Sequence, residues 1–251
     1  MSLTLGHDSE FGLEQDGQIL SALDYLVKGE VESGSWFPDN LNAEIAITPV
    51  QTLSEFHNKT EILLDSVRSQ GFDLVMKPVI TYSDDALKNR GAFKSGCEPD
   101  YNAYSEQINQ APNFRMLDSA IRSCGAHIHV GAENLDVNNW ARWMDVLVAL
   151  PLLEVEEKSV RRDLYGQGGA VRYKDYGGEY RTLSNVWLDS RAYREFVWEG
   201  THKAVELSRR MNTMDIPDWQ HVPMSIADHD LSLAKQTIDR IYLLTGVSNV
   251  L

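Results

Sequence analysis

The chain has 251 residues, of which 43% are hydrophobic and 24% charged. These values exclude a disordered chain, a collagen-like repeat and a disulfide-stapled miniprotein, and they leave ample length for a core. The 23 Lys and Arg against 37 Asp and Glu give a net charge of −14. That balance disfavours nucleic acid or an acidic membrane as the main partner, but not a small anion held by a few arginines in a cleft. Two cysteines, Cys97 and Cys124, suit a reducing compartment. The opening stretch MSLTLGHDSEFGLE has no basic segment followed by a long apolar run. The most apolar run, residues 146–153, is broken by Pro151 and is far shorter than the ~20 residues of a bilayer span. The expectation is a cytoplasmic protein.

In chain order, residues 3–14 read as a strand, because Leu3, Leu5, Phe11 and Leu13 alternate with polar positions. Residues 18–28 carry Ile19, Leu20, Leu23, Leu26 and Val27 and predict a helix. Residues 42–48 alternate up to Pro49 and predict a strand. Residues 53–69 have helical spacing, with Gly71 following as a stop. Residues 73–82 are β-rich, and 91–113 predict a long loop, a type of segment that is often functional. A short strand follows at 126–130. A helix is expected over 140–158 with a bend at Pro151, a glycine- and arginine-rich loop over 161–176, and a strand over 179–183. Two helices close the chain, 190–211 from a Ser N-cap and one running to about residue 244 from Asp228 or Asp230. Repeats and linkers are absent from the sequence, so residues 1–251 are expected to form one domain. The fold class is α+β, an antiparallel sheet with helices on one face.

Four clusters carry chemistry. In GHDSEF, strand alternation sends Asp8 and Glu10 to one face, roughly 7 Å apart. Two such carboxylates repel and are costly to bury without a cation between them. In DNLNAEIAI, Asn42 and Glu44 share a face opposite Ile45 and Ile47. In GAHIHVG, His127 and His129 project together, and imidazole is the commonest neutral metal ligand. In RRDLYGQGGAVR followed by GEYRTL, Glu179 and Arg181 share a face. Arginine forks there suit phosphate oxygens, and the glycines let amides approach an anion. Taken singly, each cluster has an ordinary explanation: an exposed acidic strand, surface histidines, or a solvated loop of paired arginines. Taken together, acids and imidazoles on one sheet surface suit Mg or Mn. With arginines added, they suit a triphosphate whose terminal group is transferred.

The stretches GHDSEF, DNLNAEIAITP, GCEPDYNAY, GAHIHVG and RRDLYGQGGAVRYKDYGGEYRTLSNVW occur in the order found in the glutamine synthetase-like carboxylate–amine ligases, which include the γ-glutamylcysteine ligases. The chain most resembles their COOH-NH2 ligase family (amidoligase, type 2) of phages and bacteria. The resemblance implies one catalytic domain, a curved antiparallel sheet with helices on its convex face, and Mg or Mn with ATP on the concave face. It implies metal roles for Asp8, Glu10, Glu44, His127 and Glu179. It places His129, Arg162, Arg172 and Arg181 toward the nucleotide phosphates, and gives Arg181, Arg172 and Glu179 catalytic roles. Position 8 is Asp where glutamine synthetases and γ-glutamylcysteine ligases have Glu, although Asp is usual in the phage-type group. Residues 27–37 lack the Gly-rich, Lys-containing sequence expected ahead of the DN motif.

The implied activity is ATP-dependent amide bond formation through an acyl phosphate. The competing readings are a guanidino-kinase-like phosphotransferase, a dinuclear metal hydrolase and a degenerate binding module. Glu98 and Asp100 are candidates for the base that deprotonates the amine. Free amino acids, a polyamine, a peptide terminus or a modified nucleobase all remain open as substrates, and the compartment would be the host cytoplasm for a phage-encoded chain. His7, His57, His202, His221 and His229 read as structural or exposed, and Trp140, Trp143, Trp187 and Trp198 as core.

Overall fold

The computed structural model describes residues 3–93, 99–109, 119–217 and 219–247. Cys97 and Glu98 lie outside the described residues. Twelve strands are described. They are β1 (Thr4–Gln15), β2 (Gln18–Leu20), β3 (Gly29–Val31), β4 (Gly34–Asp39), β5 (Asn42–Ile47), β6 (Asp73–Val75), β7 (Val79–Thr81), β8 (Tyr101–Asn102), β9 (Ile121–Ser123), β10 (Ala126–Gly131), β11 (Ala170–Lys174) and β12 (Gly177–Tyr180). The α-helices are α1 (Ala22–Tyr25), α2 (Leu53–Arg68), α3 (Val137–Met144), α4 (Leu150–Leu152), α5 (Arg161–Leu164), α6 (Arg191–Ser208), α7 (His221–Asp228) and α8 (Leu231–Thr245). None of the described helices is long and apolar enough to cross a membrane.

The main sheet runs β3-β4-β5-β1-β10-β12-β11-β8, with β2 and β6 paired to the far half of β1, and its pairings are antiparallel. The mixed architecture of antiparallel sheet and helices matches the expected class. Its two faces differ as period-2 alternation requires. Leu5, Phe11, Ala43, Ile45, Ile128, Val130, Val171 and Tyr180 line one face and are buried. Helices cover that face, with α2 against β4 and β5 and α3 against β11 and β12. His7 belongs to this face, as its parity demands. Its ring lies between Phe56 and Trp187 and reaches Ser9 and Thr60 hydroxyls at 2.9 Å. Trp140, Trp143, Trp187 and Trp198 are core residues.

Capping fixes the long helices. Thr52 and Glu55 form a reciprocal capping box at α2. Ser190 accepts from the Tyr193 amide at α6, and Asp230 rather than Asp228 caps α8.

Several expectations fail locally. Residues 18–28 are not one helix. Asp16 and Gly17 both adopt left-handed conformations (φ 52° and 76°) in a two-residue turn between Gln15 and Gln18, so β2 folds back on β1. An Asp-Gly pair favours that turn geometry. Residues 27–37 hold β3 and β4. The helix expected over 140–158 starts at Val137, passes through a π-helical stretch at Asp145–Ala149 and ends at Leu152. Pro151 has no N–H to offer the preceding turn, and the irregularity falls just before it. Within 161–176, the loop is confined to the glycine-containing turn at 165–169 and the hairpin turn at 175–176. Gly166 and Gly169 have φ of 67° and 74°, while α5 and β11 flank them. The strand expected over 179–183 is β12, which ends at Tyr180. The helix α7 lies in a Pro-containing stretch that carries no strong helical pattern.

Candidate active site

The face of the sheet away from the helices gathers the polar residues. Register places them in neighbouring positions. Glu10 pairs with Glu44, Asp8 with His127, His129 with Glu179, and Arg172 with Glu179. Five strands, β1, β5, β10, β11 and β12, thus supply one surface, and the expected convergence of Asp8, Glu10, Glu44, His127, His129, Glu179, Arg172 and Arg181 is present.

Two groups of three could each hold a cation. Ligand atoms of Asp8, His129 and Glu179 all lie within 4.8 Å of one another, as do those of Glu10, Asp39 and Glu44. Carboxylate and imidazole donors of this kind fit Mg or Mn. In the first group, Asp8 Oδ1 lies 2.7 Å from His127 Nδ1, and Oδ2 lies 2.9 Å from His129 Nε2. Burial alone would raise the Asp8 carboxyl, but the two rings hold it well below the usual carboxylate range. The sequence reading gave His127 to the cation and His129 to the phosphates. Here His129 completes the triplet, while His127 sits deeper, with Nδ1 3.8 Å from Glu179 Oε1. Burial, then Arg181, lowers the His127 pKa. Its ring needs Gly125, because a Cβ there would stand 2.5 Å from Nε2.

The second group is a crowd of acids. Burial first, then Asp39, pushes Glu10 up to about 8, against the Gly125 amide and Arg181. Burial and the Asp8, Glu10 and Asp39 charges hold Glu44 well above its ordinary value. Asp39 is raised by burial and Asp8. Among the described residues, no lysine or arginine forms a salt bridge with any of the three. Glu10 instead accepts from the Asn42 side chain and the Gly125 amide, each at 3.2 Å. Three crowded carboxylates without a paired cation are the arrangement that a divalent ion would relieve. Asp39 was missed from sequence. Its orientation follows only from the β4–β5 register, in which it pairs with Asn42 and so shares the face of Glu44.

The cations lie at the other end. Glu179, 1% exposed, is met by Arg181 Nη1, by Lys174 Nζ at 2.8 Å and by Arg172 Nη1 at 3.5 Å. Arg181 also reaches Asp100 Oδ2 at 3.4 Å, and the Tyr165 ring covers its guanidinium at 5.2 Å. Lys174 and Tyr165 are further residues that sequence reasoning passed over. Lys174 follows Arg172 by two positions and joins it once β11 is known to be a strand.

Arg162 does not reach this face as a phosphate ligand. Its guanidinium bonds both Glu156 oxygens at 2.9 and 3.0 Å, and also the carbonyls of Gly166 and Thr182. Both side chains of the pair are 4% exposed. The expected contact with nucleotide phosphates is replaced by a buried clamp on the 161–169 turn. Arg161 is likewise committed, to the carbonyls of Thr182 and Leu183.

No curated protein matches the chain. The acids of β1, β4 and β5 lie outside the stretch recognised by a family model, whereas His127, His129, Arg172, Glu179 and Arg181 lie inside it. Residues 118–222 match the model of the phage phiEco32-like COOH.NH2 ligase-type 2 family, which supports the family read from the motifs and an enzyme of the ligase type.

Proposed function

We propose that the chain, acting over residues 1–251 as one catalytic domain, is an ATP-dependent carboxylate–amine ligase whose sheet corresponds to the catalytic sheet of glutamine synthetase-like enzymes. The observation that carries this reading is the segregation of charge along one sheet face. Two groups of three that could each hold a cation, Asp8/His129/Glu179 and Glu10/Asp39/Glu44, lie beside the cationic row Arg172, Lys174 and Arg181. A dinuclear hydrolase needs the first element but not the second. Cytoplasmic location and small carboxylate and amine substrates belong to the same proposal.

Asp8, His129 and Glu179 would hold one Mg or Mn ion, and Glu10, Asp39 and Glu44 another. Such an ion supplies Lewis acidity at phosphate oxygens and screens the repulsion between two anions. A carboxylate is a poor acylating agent because its leaving group would be oxide. Transfer of the γ-phosphoryl to a carboxylate oxygen, with ADP leaving, gives an acyl phosphate. The amine then forms the C–N bond as inorganic phosphate departs, and the nitrogen gives up one proton to the leaving phosphate or to solvent. Arg172, Lys174 and Arg181 neutralise charge gathering on the transferring group. Glu179 orients Arg181, and the Tyr165 ring shields one side of that guanidinium.

The test is a screen for ADP release with Mg-ATP over pools of amines and carboxylates, followed by mass analysis for a condensation product. Release that needs both partners supports the ligase. Metal-dependent hydrolysis without ATP overturns it. Glu179→Ala and Arg181→Ala should each abolish turnover with the fold retained.

A further inference from the structure

Tyr176 lies at the tip of the β11–β12 hairpin, inside the stretch of residues 161–187 but with no role assigned to it there. Its backbone is pinned, because its carbonyl accepts from the Ala132 amide at 3.0 Å just beyond β10. The next residue, Gly177, has a φ of 148°, and a Cβ there would meet the Val130 carbonyl oxygen at 2.2 Å. The hairpin tip therefore has one way to sit against β10. In that seat the Tyr176 hydroxyl lies 2.6 Å from His129 Nδ1, and its ring is 6.2 Å from the imidazole, tilted by 38°. The other ring nitrogen, Nε2, faces Asp8 Oδ2 at 2.9 Å. The imidazole is thus gripped at both nitrogens, by a phenol on one side and a carboxylate on the other.

We infer that Tyr176 is a positioning residue for the cation group Asp8/His129/Glu179, holding the His129 ring with Nε2 turned inward. The inference rests on the metal reading proposed above and adds to it a residue of this chain outside the ligand set. A hydroxyl suits the task because it serves both imidazole tautomers. It donates to Nδ1 while Nε2–H donates to Asp8, and it accepts from Nδ1–H when the Nε2 lone pair is offered to a cation. A carboxylate at this position would serve only the second arrangement, and a backbone amide only the first. Partners of this kind typically alter metal affinity by ~10–100-fold.

The experiment is Mn2+ binding to the metal-free full chain, followed by EPR and calorimetry, for wild type, Tyr176→Phe and Tyr176→Ala. The side chain of Tyr176 is half exposed, so the loss of one hydroxyl should leave the melting temperature unchanged. The expected result is about tenfold or weaker Mn2+ binding in Tyr176→Phe, with no further large loss in Tyr176→Ala. A parallel readout is the 15N spectrum of His129 in metal-free protein. It should report a hydrogen-bonded Nδ1 in wild type and a shift of that resonance toward an unbonded nitrogen in Tyr176→Phe. Equal Mn2+ affinity and an unchanged spectrum in Tyr176→Phe would overturn the role of Tyr176 while leaving the metal reading intact. Failure of the wild type to bind Mn2+ would overturn both.

Discussion

Replacing Arg162 by Met tests whether this arginine is a clamp or a phosphate ligand. The variant keeps much of the side-chain length but removes four polar contacts, two to Glu156 and two to the carbonyls of Gly166 and Thr182. It leaves Glu156 buried, with the Ser184 hydroxyl as its remaining side-chain partner. Breaking one side of a buried pair costs ~3–5 kcal/mol, because the surviving charge is stranded. For a chain of this size each kcal/mol shifts the melting temperature by ~2–4 °C, so a fall on the order of 10 °C is expected. Replacing both partners, as in Glu156→Leu with Arg162→Met, removes the stranded charge and should recover most of that loss. Urea denaturation of the two single variants and the double variant measures the coupling directly. A melting temperature within a degree or two of wild type in Arg162→Met, together with lost nucleotide binding, would refute the clamp.

Other outcomes follow from the same geometry. Asp145, fully buried on the π-helical stretch, accepts from the Tyr104 hydroxyl at 2.7 Å and from the Tyr180 hydroxyl. Burial nevertheless raises its pKa from 3.8 to about 7. The folded state therefore binds this proton more tightly, so the contribution is full below about pH 4 and is lost as the pH rises through about 7. At 1.4 kcal/mol per unit this is on the order of 4 kcal/mol, and Asp145→Asn should flatten the dependence of the urea midpoint on pH over that window. Gly125→Ala should displace the His127 ring and weaken Mn2+ binding severalfold in calorimetry, because the new Cβ would stand 2.5 Å from Nε2. Asp39→Asn should lower Mn2+ stoichiometry or affinity while leaving thermal stability equal or higher, since it removes one of three repelling acids. Gly200→Ala should cost ~1–3 kcal/mol of unfolding free energy by overpacking, because its Cβ would meet Val148 Cγ2 at 2.6 Å across the α6 contact.

Much of the site was legible because a strand has a strict period. Once Asp8, Glu10, Glu44, His127, His129 and Glu179 are placed on strands, alternation alone assigns each to the polar face, and His7 to the opposite one. What alternation does not encode is how separate strands align. Asp39 joins Glu10 and Glu44 only through the β4–β5 register, and His129 rather than His127 completes the first triplet through pairing with Glu179. Tyr165 and Tyr176 stand in turns, where no period tells which way a side chain points. Arg162 failed for a different reason. An arginine beside glycines looks the same whether its fork meets a phosphate or a buried glutamate, and only the fold brings Glu156 to it. The helix expected over residues 18–28 failed because apolar spacing outweighed the Asp-Gly turn signal.

The pairing of β1 with β10 joins Asp8 to His127 across 119 residues. During synthesis β1 emerges early, and β5 can dress one of its edges soon afterward. The other edge must wait for β10, about 6–24 s at ribosomal rates of ~5–20 residues per second. Through that interval the acids of the nascent sheet stand without their imidazole neighbours. Asp8 and Glu10 stand on that open edge, and charged side chains make a strand edge a poorer template for pairing with another chain.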